Sequence, residues 1–89
     1  MMAMAENTSR DITTLAKLFL SVRGNVSMKK FIQGLFTEGE ISEFARRIEI
    51  VKMIKKGIPH HKIALTLGVG VATVTRGARE EKLGRFKNL

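Results

Sequence analysis

His60 and His61 stand side by side in a chain that has no cysteine, so metal chemistry is the first possibility to weigh. Neighbours on a helix point about 100° apart, and no further ligand stands at metal spacing, so the sequence argues against a metal site. Catalysis fares no better. No nucleophile is spaced with a base, no carboxylate pair marks a cleft, and Glu80-Glu81 reads as helix surface. Gly68-Val69-Gly70 is too short a glycine pattern for a dinucleotide and follows a helix rather than a strand. What remains is binding chemistry, and the charges say of what kind. Residues 1–45 carry five basic and five acidic side chains, residues 46–89 eleven basic and three acidic, so the whole net charge of +8 sits in the second half. Such asymmetry points to a polyanion, either nucleic acid or an anionic membrane surface. With no Tyr or Trp to stack on bases and no continuous lipid-facing stripe, double-stranded DNA is favoured over RNA and membrane.

The elements that must position these charges can be read from apolar spacing. Eighty-nine residues suggest one small domain spanning 1–89, and 44% apolar content in so short a chain suggests that a second subunit completes the core. Leu15–Val22 is too short for a signal peptide or a membrane span, so a cytoplasmic protein is expected. Residues 1–9 read as a loose terminus. Asp11–Arg23 reads as a helix, Gly24-Asn25 as a turn, and Ser27 as the cap of a short helix carrying Met28, Phe31, Ile32 and Leu35. Thr37-Glu38-Gly39-Glu40 is a capping box opening a helix that runs to Lys56 and stops at Gly57. Ile41, Phe44, Ala45, Ile48 and Val51 make one apolar stripe on it, and Ile50, Met53 and Ile54 another, so this helix needs partners on both sides. Pro59 fits the first position of the next helix, His60–Leu67, which Gly68 ends. From Val71 to about Leu83 the β-branched residues would allow a strand. A short helix, a glycine turn and an amphipathic segment instead form a helix-turn-helix over 59–81, with Ala64 as the small packing residue and Ile63, Leu67, Val69 and Val74 as apolar contacts.

At this point the chain resembles the bacterial Trp repressor family, from about Gln33 to Lys82. The likeness rests on Phe36-Thr37, on ARRIEIVKMIKKG (Ala45–Gly57) and above all on LGVGVATVTRG (Leu67–Gly77). It implies an all-α, intertwined homodimer that represses transcription, with L-tryptophan as corepressor tilting the reading heads toward successive major grooves. By the same resemblance, His60, His61, Val71, Ala72, Thr73 and Thr75 match DNA-facing positions and Lys82 a phosphate contact. Small residues and threonine hydroxyls suit close approach to base edges. Arg47 and Arg76 match the pair that sandwiches the indole, Thr37 and Arg76 the carboxylate contacts, Gly77 the residue against the ring, and Gly34 and Phe36 carbonyl donors of lone pairs to the ammonium. The reading of residues alone leaves Arg47 a second role, an i,i+4 pair with Glu43.

Three departures from the family pattern bear on function. Glu80 replaces a small hydroxyl residue near the ammonium, where it either pairs that charge or crowds it. The loop before Pro59 is one residue shorter, and the sequence ends at Leu89, leaving 84–89 as a basic tail where family members continue into another helix. The Glu80 change keeps open a helix-turn-helix regulator that needs no ligand or senses another small molecule.

Overall fold

The computed structural model describes the backbone of residues 2–89 and side chains from residue 7 onward. Five helices and no strand appear among the described residues: α1 (Met2–Ser21), α2 (Asn25–Leu35), α3 (Glu38–Lys55), α4 (His60–Leu67) and α5 (Val71–Lys82). The chain divides into two compact units, Met1–Thr37 and Glu38–Leu89.

In the first unit, α1 already runs from Met2, where a loose terminus through residue 9 was expected. Alanine, methionine and glutamate are strong helix formers, and nothing in residues 2–9 breaks the run. Ser27 is not the cap of α2 either. Gly24 takes that place and Ser27 lies inside the helix, with the Met28 N–H donating to the Gly24 carbonyl at 3.0 Å. Three phenylalanines organise the unit. Phe19 meets Phe31 edge-on at 5.1 Å and stacks on Phe36 at 6.2 Å. Apolar side chains nevertheless remain uncovered, Leu20 at 84% exposure and Val26 at 68%.

The second unit holds the core. Helix α3 begins directly after Thr37, where the capping box places it, with Glu38 and Glu40 in its first turn and Lys52 and Lys55 in its last, each matching the sign of the helix dipole. It ends at Gly57 through paired bonds, Gly57 N–H to Ile54 O at 2.9 Å and Ile58 N–H to Met53 O at 3.2 Å. Pro59 caps α4 from outside rather than opening it, so its carbonyl receives the Ile63 N–H at 3.1 Å. At the far end Gly68 turns left-handed at φ 66°, and the Val69 N–H returns to the Ala64 carbonyl at 3.0 Å. Glycine takes that φ without Cβ strain, which makes the turn between α4 and α5 tight.

Ile50, Ile63, Ala64 and Val74 form the buried cluster, with Met53, Ile54, Ile58, Leu67 and Val69 packed against it. Thus the Ile50/Met53/Ile54 side of α3 faces α4 and α5. On the other stripe Val51 is buried but Ile48 stays 39% exposed. The β-branched residues of α5 form a helix because Val74, fully buried, secures it against the core, which outweighs their local preference. Past α5 the expected basic tail is wound into turns. Gly84 N–H donates to Glu81 O at 2.9 Å, Arg85 N–H to Glu80 O at 3.3 Å, and the Lys55 ammonium to the main-chain oxygens of Phe86 and Leu89.

Helix α5 runs close against α3 at Gly77, where an added Cβ would stand 2.9 Å from Ile50 Cγ2. Alanine favours a helix interior by about 1 kcal/mol over glycine, but overpacking against a rigid, buried side chain costs about 1–3 kcal/mol. Gly77→Ala should therefore lower the midpoint of thermal unfolding followed by circular dichroism. A raised midpoint would show that the two helices part freely.

Candidate nucleic-acid interface and ligand cleft

Two helical stripes face each other in the second unit. On α5, Thr73, Arg76, Gly77 and Glu80 recur at i, i+3, i+4 and i+7, the spacing that puts side chains on one face. On α3, Glu43, Arg47, Ile50 and Val51 stand at i, i+4, i+7 and i+8, again along one side of the helix. Together with Phe86 these eight residues line a cleft of about 460 Å³, within the range of small-molecule sites. Gly77 provides the room by having no side chain, while Ile50 and Val51 supply an apolar floor.

The charges around this cleft are mixed. Arg47 donates to Glu43 Oε1 at 2.8 Å, the i,i+4 pair that the sequence left open, and its guanidinium lies 5.6 Å from the Phe44 ring centroid. Glu80 accepts from Arg85 Nε at 3.2 Å. Arg76 is exposed and forms no ion pair among the described residues. An exposed guanidinium, a carboxylate and an apolar floor offer partners for the carboxylate, ammonium and side chain of one small zwitterion.

Four of the residues expected at a ligand, Arg47, Arg76, Gly77 and Glu80, are thus brought together. Gly34, Phe36 and Thr37 belong to the first unit, where Phe36 stacks on Phe19, and the cleft is built without them. Phe86 is a cleft residue that sequence reasoning missed. Its place depends on how the chain folds back after Gly84, which no spacing announces.

The residues expected at DNA are also exposed. His60 and His61 stand in the first turn of α4, and Val71, Ala72, Thr73, Thr75 and Lys82 on α5, while Val74 between them is buried. The helix phase sorts them further. Ala72 and Thr75 point away from the core, and Arg79, exposed and seven residues from Ala72, continues that outward stripe. Arg79 was not singled out from the sequence, though its spacing from Ala72 and Thr75 was signal enough. Thr73 lies off this stripe. It lines the cleft, and with Glu43, Arg46 and the Gly68–Gly70 turn it also lines a smaller hollow of about 270 Å³. Among the described residues no group of three or more His, Asp or Glu gathers around a metal position, and no helix is long and apolar enough to cross a membrane.

The family model described as Trp repressor protein matches residues 10–86. The uncharacterized protein YerC of Bacillus subtilis is 30% identical over 70 residues, 79% of this chain and 67% of its own length. A Trp operon repressor homolog from Vibrio vulnificus is 42% identical over 50 residues, 55% of this chain and 49% of that protein. Another, from Vibrio campbellii, is 31% identical over 74 residues, 82% of this chain and 74% of the relative. The chain therefore spans about half the length of one of these relatives and up to three quarters of another. No solved structure matches it significantly.

The Arg47–Glu43 pair is solvent-exposed on both sides, and such pairs contribute about 0.3–0.5 kcal/mol on a helix. Glu43→Gln should accordingly leave chemical unfolding nearly unchanged, with a loss no greater than about 0.5 kcal/mol. A loss several times larger would mean that the pair braces α3.

Proposed function

Since the chain belongs to the Trp repressor family, a family of DNA-binding transcription regulators, we propose that it is a sequence-specific repressor with L-tryptophan as corepressor. One observation carries this reading. Arg47, Arg76, Gly77 and Glu80, expected at the ligand from sequence, converge on a single cleft along the flank of the reading helix α5.

On this reading α5 enters the major groove with Val71, Ala72 and Thr75 against base edges and Thr73 at the margin. His60 and His61 approach bases and phosphates from the start of α4, and Lys82 meets a phosphate. The tryptophan carboxylate pairs with Arg76, and the indole packs between the guanidiniums of Arg76 and Arg47, which are planar, permanently charged and weakly hydrated. The family resemblance adds Thr37, Gly34 and Phe36 to the ligand contacts of the proposed assembly. That assembly is a homodimer. Ile12, Leu20 and Val26 on the first unit and Ile48 on α3 are too exposed for a lone chain of this size.

A second reading has its own observation. Glu80 already holds Arg85 through one carboxylate oxygen at 3.2 Å, and while that pair persists less of its negative charge is left to draw an ammonium. The protein would then bind DNA without a ligand or sense another small molecule.

Calorimetric titration with L-tryptophan, with and without duplex DNA, decides between them. Binding of tryptophan that is weakened by about 1–2 kcal/mol in Arg76→Lys supports the corepressor reading, because lysine keeps the charge and loses the flat fork. No binding under either condition favours the second reading and leaves the helix-turn-helix standing. If Glu80 pairs the ammonium, indole-3-propionate, which lacks that group, binds more weakly than tryptophan. If Glu80 crowds it, Glu80→Ser tightens tryptophan instead.

For DNA, Lys82→Ala should weaken all duplexes alike and reduce the slope of log affinity against log salt by about 1. Equal affinity of both proteins across the salt series would remove Lys82 from the interface. Light scattering should give the mass of a dimer at micromolar concentration. A folded monomer there would overturn the assembly.

A further inference from the structure

The polar groups of the cleft address what all α-amino acids share, a carboxylate and an ammonium. Beyond the guanidinium faces of Arg47 and Arg76, discrimination among amino acids rests on the apolar lining, which among the described residues is Ile50, Val51, Gly77 and Phe86. Ile50 and Val51 are each 1% exposed and fixed in the core, and Gly77 offers only backbone. Phe86 differs from them. It is the aromatic residue of the lining, it is half-buried, and it is carried on the turns that follow α5 rather than on a helix.

Those turns are held in place from three directions. Gly84, at φ 82°, reverses the chain, and the N–H groups of Gly84 and Arg85 return to the carbonyls of Glu81 and Glu80. The Arg85 guanidinium reaches the Glu80 carboxylate, itself a cleft residue. From the end of α3 the Lys55 ammonium donates to the main-chain oxygens of Phe86 and Leu89. A side chain anchored this way is a wall and not a loose tail.

Resting on the proposed ligand site, we propose that Phe86 determines specificity: it closes the apolar side of the cleft and selects a planar aromatic side chain. Edge or offset contact with an indole rewards a ring over an aliphatic chain of similar volume, because the ring quadrupoles add to the burial of area. The segment 83–89 is then part of the ligand site, and Lys55 acts as a positioning residue for it.

The chain contains neither tryptophan nor tyrosine, so bound L-tryptophan supplies the only indole signal. Titrating L-tryptophan into the full chain should shift its emission to shorter wavelength as the ring leaves water. In Phe86→Ala the shift should shrink and the dissociation constant rise by about tenfold, a change of about 1.4 kcal/mol. Phe86→Leu, which keeps bulk without the ring and guards against a folding defect, should fall between the two. Wild-type binding with emission and affinity unchanged in both variants overturns the role of Phe86 and leaves the ligand site intact. Absence of L-tryptophan binding to the wild-type protein overturns the corepressor reading and this inference with it.

Discussion

The contact between Gly77 on α5 and Ile50 on α3 sets the spacing of the whole second unit. Because Gly77 lacks a side chain, the α5 backbone comes down directly on an isoleucine that is 1% exposed, and not even a methyl group fits between them without a shift. Packed interiors do not give by tenths of an ångström without loss elsewhere. On one side of this contact the approach lets Val74 and Ile63 close a core of only a few fully buried residues. On the other it fixes the width of the cleft, since Gly77 and Ile50 line it too. Core and cleft are therefore two consequences of one crossing. The pairs Glu43–Arg47 and Glu80–Arg85 ride on it as surface features.

What the sequence reveals of this unit is largely its punctuation. Gly57 and Gly68 mark helix ends because a left-handed residue is needed there and glycine takes that conformation cheaply, and both sit at φ 78° and 66°. The start of α3 after Thr37 is legible because a capping box needs its two residues at fixed spacing. The strand-like run from Val71 to Thr75 shows the limit of local preference. One buried contact at Val74, together with the turn at Gly70, outweighs four β-branched residues. Ser27 misleads for the opposite reason. A good capping residue is present, yet the chain reverses three residues earlier at Gly24, whose φ of 88° suits glycine, and the helix starts there.

The residues missed fall into two kinds. Arg79 is within reach of sequence, since stepping along α5 from Ala72 and Thr75 arrives at it. Phe86 was beyond reach. KLGRFKNL has no periodicity, and its structure depends on Lys55, more than thirty positions away in sequence, capturing its main-chain oxygens. A basic composition reads as a solvated tail unless such long-range anchors are known. The first unit adds a further lesson. Its apolar residues have helical spacing and invite assignment to a core, yet Leu20 and Val26 stay exposed, because periodicity reports which face is apolar without saying whether anything covers it.

Helix α5 has two working faces on one rigid rod. Thr73, Arg76, Gly77 and Glu80 face the cleft, while Ala72, Thr75 and Arg79 lie about 100° round the axis toward solvent. Tryptophan carries no net charge at pH 7, so on the proposed reading its effect on DNA binding does not rest on added net charge. Geometry is then one route for it. On that reading a ligand between α3 and α5 favours a rotation of α5 about its fixed contact with Ile50 in which Arg76 meets a carboxylate, and the outward face turns with the same rod. Helix α4 follows, because the short Gly68–Gly70 turn joins it to α5 and Ile63 shares a buried cluster with Val74. The ligand can shift that rotation only as far as its affinities for the two orientations differ. Linkage then requires reciprocity: whatever factor tryptophan adds to operator affinity, bound operator adds to tryptophan affinity. Thr73, at the border of the ligand cleft and the hollow beside the Gly68–Gly70 turn, stands where the two demands on α5 meet.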